Sequence, residues 1–154
     1  MIKKIIIKNN EKGLVFKNDV LINVIEQGVH WFFFGEKIEV CSGYNQFFEI
    51  EEGIFEHLLL KDQLDILEIK DDELALVFEK SNFKHVFVPG VYAFWKGQHP
   101  FVFQTVSMAT FEIQNVSKTI LEKPQMNAYV RNYRVESFEK GLLFVDGVFE
   151  KILA

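Results

Sequence analysis

Glu11-Lys12-Gly13-Leu14-Val15-Phe16 recurs as Glu139-Lys140-Gly141-Leu142-Leu143-Phe144, and between them lies Glu73-Leu74-Ala75-Leu76-Val77-Phe78. Outward from the first two copies, Val24-Ile25-Glu26-Gln27-Gly28-Val29-His30-Trp31-Phe32 matches Val86-Phe87-Val88-Pro89-Gly90-Val91-Tyr92-Ala93-Phe94. From Glu11 to Gly35 and from Glu73 to Gly97 the two align without a gap at a constant offset, placing Phe16 on Phe78 and Gly28 on Gly90. The third copy opens at Glu139 and reaches Ala154 before its own glycine is due. Repetition on this scale marks tandem supersecondary units, each too small to bury its apolar face alone.

Each copy reads as a β-meander of about four short strands. Polar turns break the apolar runs at equivalent places: Asn18-Asp19, Lys80-Ser81-Asn82 and Asp146-Gly147. Asp-Gly between two strand-like runs is a strong hairpin signal, because a type I′ turn needs positive φ at both central residues. Gln27-Gly28 and Pro89-Gly90 predict a second turn of type II, with glycine at the positive-φ position. Gly35 and Gly97 mark a third. Helical spacing is confined to Ile54, Phe55, Leu58, Leu59 and Asp62, and to the stretch 116–121 ahead of Pro124. The stretch 129–138 reads as a further strand block leading into the third copy. The expected fold is therefore mainly β: tandem small antiparallel β-meander modules with one short helix between modules. The modules fall at 1–62 and 63–127, with a truncated third at 128–154 whose hairpin packs on module two or on another chain.

The composition narrows the function classes. A net charge of −5 provides no electrostatic footprint for a phosphate backbone, so nucleic acid is not an expected partner. Cys41 is the one cysteine, which excludes an internal disulfide and a multi-thiolate metal site within the chain. Its strand-like surroundings read as those of a small buried apolar residue. The opening Met1-Ile2-Lys3-Lys4-Ile5-Ile6-Ile7-Lys8 has too short an apolar run for a signal peptide. No window approaches the apolar stretch of about 18 residues expected of a membrane helix. A cytoplasmic location is the default expectation, with peripheral membrane contact only through a larger assembly.

No catalytic, cofactor or metal site is expected. His30, His57, His85 and His99 lack ligand spacing, and the repeat aligns His30 with Tyr92 and His85 with Asn23. Asp71-Asp72-Glu73 aligns with Asn9-Asn10-Glu11 and reads as a solvated turn rather than a cation loop. The 17 phenylalanines are the unusual feature. In Trp31-Phe32-Phe33-Phe34, strand alternation sends Trp31 and Phe33 to one face and Phe32 and Phe34 to the other. Ala93-Phe94-Trp95 repeats the pattern in the second copy. An element apolar on both faces is either covered twice or offers one face to a partner. Trp31, Phe33, Phe94 and Trp95 are accordingly the candidate interaction surface.

Val88-Pro89-Gly90-Val91-Tyr92-Ala93-Phe94-Trp95-Lys96 and Val135-Glu136-Ser137-Phe138-Glu139-Lys140-Gly141-Leu142-Leu143-Phe144-Val145-Asp146-Gly147 carry a family resemblance. They resemble the N-terminal β-repeat region of bacterial slipin-type proteins, in the stomatin/prohibitin/flotillin (Band 7) superfamily. The resemblance spans essentially the whole chain, but only with the portion that precedes the Band 7 domain itself. It implies a non-catalytic scaffold or protein-interaction role, with a protein partner or self-association. The alternative is a small-ligand-binding or enzymatic β-domain with a pocket at the module junction, using His30, Tyr92 or His99. A deep junction pocket would favour that alternative, and a flat aromatic patch would favour the scaffold.

Overall fold

The computed structural model describes residues 2–154 and consists largely of antiparallel strands with two short α-helices. It divides into two compact units, one ending at Gln114 and the other running Asn115–Ala154. The first two modules therefore share one body rather than parting near residue 62.

The first module contributes β1 (Lys3–Ile7), β2 (Glu11–Lys17), β3 (Val20–Ile25), β4 (Gly28–Phe32) and β5 (Glu36–Ser42). A short connection follows: β6 (Gln46–Phe47), a 3-10 turn at Ile54–Glu56 and helix α1 (Leu58–Lys61). The second module repeats the strands as β7 (Leu64–Ile69), β8 (Glu73–Glu79), β9 (Asn82–Phe87), β10 (Gly90–Trp95) and β11 (Phe101–Ser107). Each complete module thus has five strands, one more than the sequence pattern suggested. The additional strand is the apolar run ahead of the Glu-led motif.

In each module the motif strand is central, with sheet orders β3-β2-β5 and β11-β8-β9. The extra strand and the fourth strand form a separate ladder. Lys3 faces Phe32 and Ile7 faces Gly28; at the same positions of the second copy, Asp65 faces Phe94 and Ile69 faces Gly90. The ladders slip at the same repeat position, between Val15 and Phe16 and between Val77 and Phe78. Such a bulge adds one residue to one strand and sharpens its twist. The repeat loses its constant offset only beyond the fourth strand. Lys17 and Glu79 are repeat counterparts, yet Lys17 faces Glu36 whereas Glu79 faces Phe101, past the Gln98 that the offset would supply.

The turns explain which residues recur. Asn18 and Asp19 have φ of 51° and 62°, and Lys80 and Ser81 have 48° and 66°. These are the positive-φ pairs that a type I′ hairpin needs. Gly28 and Gly90 sit at φ of 142° and 151°, beyond the roughly +80° of a type II turn, so the expected turn type is replaced by a more extended one. Each glycine is crossed by a ring from two positions downstream. With its Nε2–H tautomer, His30 donates to the Glu26 carbonyl (2.8 Å), while the Tyr92 hydroxyl donates to the Val88 carbonyl (2.9 Å). The leading glutamate clamps the turn before the central strand. The Lys8 N–H donates to the Glu11 carboxylate (3.0 Å), and the Lys70 N–H to that of Glu73 (3.3 Å).

Strand β2 is buried on both faces. Leu14 and Phe16 enter a core shared by both modules, with Leu21, Phe47, Ile54, Leu60, Leu64, Ala93 and Trp95. Val15 points the other way, into a smaller core with Ile7, Ile25 and Phe32. Each Val, Leu, Ile or Phe side chain among them, fully buried, contributes about 1.5–3 kcal/mol, so the shared core binds the modules into one body. The joint is completed by β6, which leaves the first module and pairs with β10 of the second, giving the order β6-β10-β7.

The second unit contains α2 (Lys118–Leu121), a 3-10 turn at Pro124–Met126, and a hairpin of β12 (Gly141–Val145) and β13 (Val148–Leu153). The hairpin slips between Leu143 and Phe144, the repeat position at which the other two slip, and turns at Asp146 and Gly147 with φ of 50° and 80°. Its glutamate makes the same clamp, with the Glu136 N–H donating to the Glu139 carboxylate at 3.3 Å. The strand expected over 129–138 does not form. Residues 131–135 occupy the repeat position of β1 and β7, but no strand among the described residues lies beside them. A strand is defined by its ladder, and propensity alone does not make one.

Candidate interaction surface

The four aromatic candidates divide cleanly. Trp31 and Phe33 are 62% and 70% exposed, whereas Phe94 and Trp95 are 1% and 0% exposed. Phe94 and Trp95 are thus core residues and drop out of the candidate surface. The cause lies in what each module's fourth strand meets. Phe94 packs against Phe103 (ring centroids 5.0 Å apart), His99 (5.3 Å) and Phe101 (5.8 Å). Trp95 is met edge-on by Phe47 of β6, with centroids 5.3 Å apart. Phe33 is the repeat counterpart of Trp95, yet β4 pairs only with β1 and no strand among the described residues covers its other edge.

Alternation along β4 holds as far as the strand does. Trp31 is exposed and Phe32 is buried, but the strand ends at Phe32, so Phe33 and Phe34 both project into solvent from the following turn. On the outer face of the β1–β4 ribbon, Ile6 and Val29 are register partners and both exposed. Lys4 faces Trp31 across the ladder and holds its ammonium 5.8 Å from the indole centroid. The outcome is an apolar ribbon face with a free strand edge and aromatic side chains at one end. Sequence reasoning missed Ile6, Val29 and Phe34. Alternation through Ile5-Ile6-Ile7 carried the signal for Ile6, once the run is recognised as a strand.

Lys12 fixes the joint between the modules. It is buried, pairs with Glu26 (2.9 Å), donates to the Gln63 side-chain oxygen (3.2 Å), and holds its ammonium 5.2 Å from the Trp95 ring centroid. Its hydrogen bond and charge lower the Glu26 pKa below the usual carboxylate value. Lys12 is a packing cation shared by two modules, and neither it nor Glu26 lines either of the open concavities described below.

The remaining polar residues are dispersed. His57 accepts the Leu59 N–H at the start of α1 (3.3 Å) and His99 lies 3.1 Å from the Asp65 carboxylate. His85 contacts the Phe87 ring at a centroid distance of 4.7 Å. With His30 and Tyr92 both folded across their own turns, the three residues of the pocket reading do not converge. No group of three or more His, Cys, Asp or Glu side chains that could hold a metal occurs among the described residues. Cys41 is half-buried, and burial, reinforced by Glu39, pushes its thiol pKa up to about 11. That removes the thiolate that nucleophilic chemistry near neutral pH requires.

Two concavities, of about 370 and 400 Å³, are open to solvent. One lies between the β2–β3 turn and residues 51–57, the other beside the Lys70-Asp71 and Pro89-Gly90 turns. Neither contains His30, Tyr92 or His99. No helix among the described residues is long and apolar enough to cross a membrane. Comparison with known proteins returns no matching family model, no matching curated protein and no matching solved structure.

Proposed function

We propose that this chain is a non-catalytic scaffold or protein-interaction region, of the kind the slipin-like resemblance implies, and that it makes contact through the free edge and outer face of β4. The observation that carries the reading is the contrast between Phe33 and Trp95. Two residues at one repeat position are respectively solvent-exposed and fully covered, and the cover is a strand from a neighbouring module. An edge with unpaired backbone groups beside apolar side chains favours strand addition. Trp31, Phe33 and Phe34 supply rigid apolar area of the type that anchors protein contacts.

Self-association is the form of contact proposed. Sedimentation velocity over a range of concentrations tests it against the double variant Trp31→Ser/Phe33→Ser. Both side chains are exposed, so the variant should keep the native circular dichroism spectrum. The unmodified chain should sediment as a larger species at high concentration and the variant as a monomer. A wild-type chain that stays monomeric throughout would remove the self-association reading.

A further inference from the structure

The joint between the first two modules consists of a socket and a plug, and neither is repeated in the other module. In the socket, Lys12 is buried and held by Glu26 of its own module (2.9 Å). Its ammonium also reaches two residues of the second module, the Gln63 side-chain oxygen (3.2 Å) and the Trp95 ring (5.2 Å to the centroid). Gly43, just past the end of β5, is buried as well. A Cβ there would collide with the Gln98 side-chain oxygen and lie 2.9 Å from the Asn10 carbonyl oxygen. Glycine at this position makes room for a side chain of the second module.

The repeat supplies the comparison. Lys12 has its counterpart in Leu74. Ser42 faces Glu11 and Ser107 faces Glu73, which makes Met108 the counterpart of Gly43. The backbone agrees: the Gly43 N–H donates to the Asn10 carbonyl and the Met108 N–H to the Asp72 carbonyl, both at 2.6 Å. The second module therefore has neither the cation nor the gap. The plug is equally one-sided. Phe33 stands at the repeat position of Trp95. The turn that carries Gln98 is longer than its counterpart in the first module, since Phe101 faces Glu79 whereas Glu36 faces the equivalent Lys17. The first module has nothing to place against a buried glycine.

We propose that Lys12 and Gly43 are the residues that determine which module docks on the first one: they admit a module presenting Gln63, Trp95 and Gln98 and disfavour one of the first module's own kind. The selection comes from what a mismatch leaves behind. An ammonium buried without Gln63 and the indole keeps the cost of leaving water, with fewer attractions to offset it. A gap at Gly43 that no side chain fills forfeits its packing contacts. Conversely, a second-module plug set on Leu74 and Met108 would bring Gln63 against an apolar side chain and Gln98 against the methionine. Stacking of like module on like module is thereby disfavoured, although the two modules share their strand order and turns. The lysine supplies this selection without adding stability. Desolvation offsets its attractions, and leucine is buried at the same place in the second module.

The test gives Lys12 the side chain of the other module. Lys12→Leu, with the unbranched Lys12→Met as a second variant, is compared with the unmodified whole chain by urea denaturation. The nitrogen-correlated NMR signals of the two indole N–H groups, Trp31 and Trp95, are recorded on dilute protein. The unmodified chain should give one signal from each. In both variants the urea midpoint should stay level or rise, whereas the Trp95 signal should split, or broaden about twofold or more, as the joint samples other arrangements. Trp31, exposed on β4, should keep its single signal. Gly43→Ala should disturb the Trp95 signal in the same way, and Gly43→Ala/Gln98→Ala should recover it in part. A Trp95 signal that stays single and sharp in both Lys12 variants overturns the proposal. So does a lowered urea midpoint or a failure to fold, because the lysine would then be a stabilising contact rather than a selective one. No recovery in the double variant removes the role of Gly43.

Discussion

At the scale of single residues, the repeat shows which side chains serve the backbone. Glu11, Glu73 and Glu139 each accept an N–H from three positions upstream, which accounts for a glutamate heading all three copies. Ser81 is the weakest turn residue of the set. It occupies φ of 66°, where Asp146-Gly147 places a glycine. The left-handed conformation costs an ordinary L-residue about 1–2 kcal/mol, against about 0.5–1 kcal/mol for the extra freedom of glycine in the unfolded chain. Ser81→Gly should therefore stabilise the protein by about 0.5–1 kcal/mol, visible as a higher urea midpoint with an unchanged slope. Much at this scale was legible in the sequence. The polar turn residues announced the hairpins, and the alignment of His30 with Tyr92 announced a position that takes either ring. The geometry supplies the reason, since an imidazole and a phenol can both reach back across the glycine to a carbonyl.

At the scale of elements, that shared reach makes a comparison within one turn. Tyr92 bonds the Val88 carbonyl and stacks on Phe87, with centroids 4.4 Å apart. Tyr92→Ala should cost about 1.5–2.5 kcal/mol, from a hydrogen bond worth about 1 kcal/mol and a ring pair worth about 0.5–1.5 kcal/mol. Tyr92→His, which copies the first module, should recover at least half of that loss in the same denaturation assay. Elements were also where sequence reasoning failed. Phe94 and Trp95 looked like surface residues because alternation describes one strand in isolation. The strand covering Trp95 is only Gln46–Phe47, too short to leave a periodic signal. The stretch 129–138 failed for the converse reason: its pattern is strand-like, but no ladder partner among the described residues lies beside it.

For the whole molecule, the expected boundary near residue 62 marks a repeat in the sequence without marking a break in the body. The period was read correctly, and the number of bodies could not follow from it, because β6 and the core around Leu14, Phe47 and Trp95 cross the repeat boundary. Exposure at the candidate surface was half legible. Trp31 and Phe33 are exposed, as their own pattern suggested, whereas the open edge of β4 depends on a ladder partner that this pattern does not show.

The exchange of β6 between modules has a mechanical consequence. A backbone cut within residues 48–53 would leave Phe47 on one piece and its cage, Trp95 and Leu64, on the other. With a protease site placed in that segment, the severed halves should co-elute on gel filtration in native buffer and come apart only in denaturant. The tether could then be dispensed with, and the two fragments should find each other again when mixed.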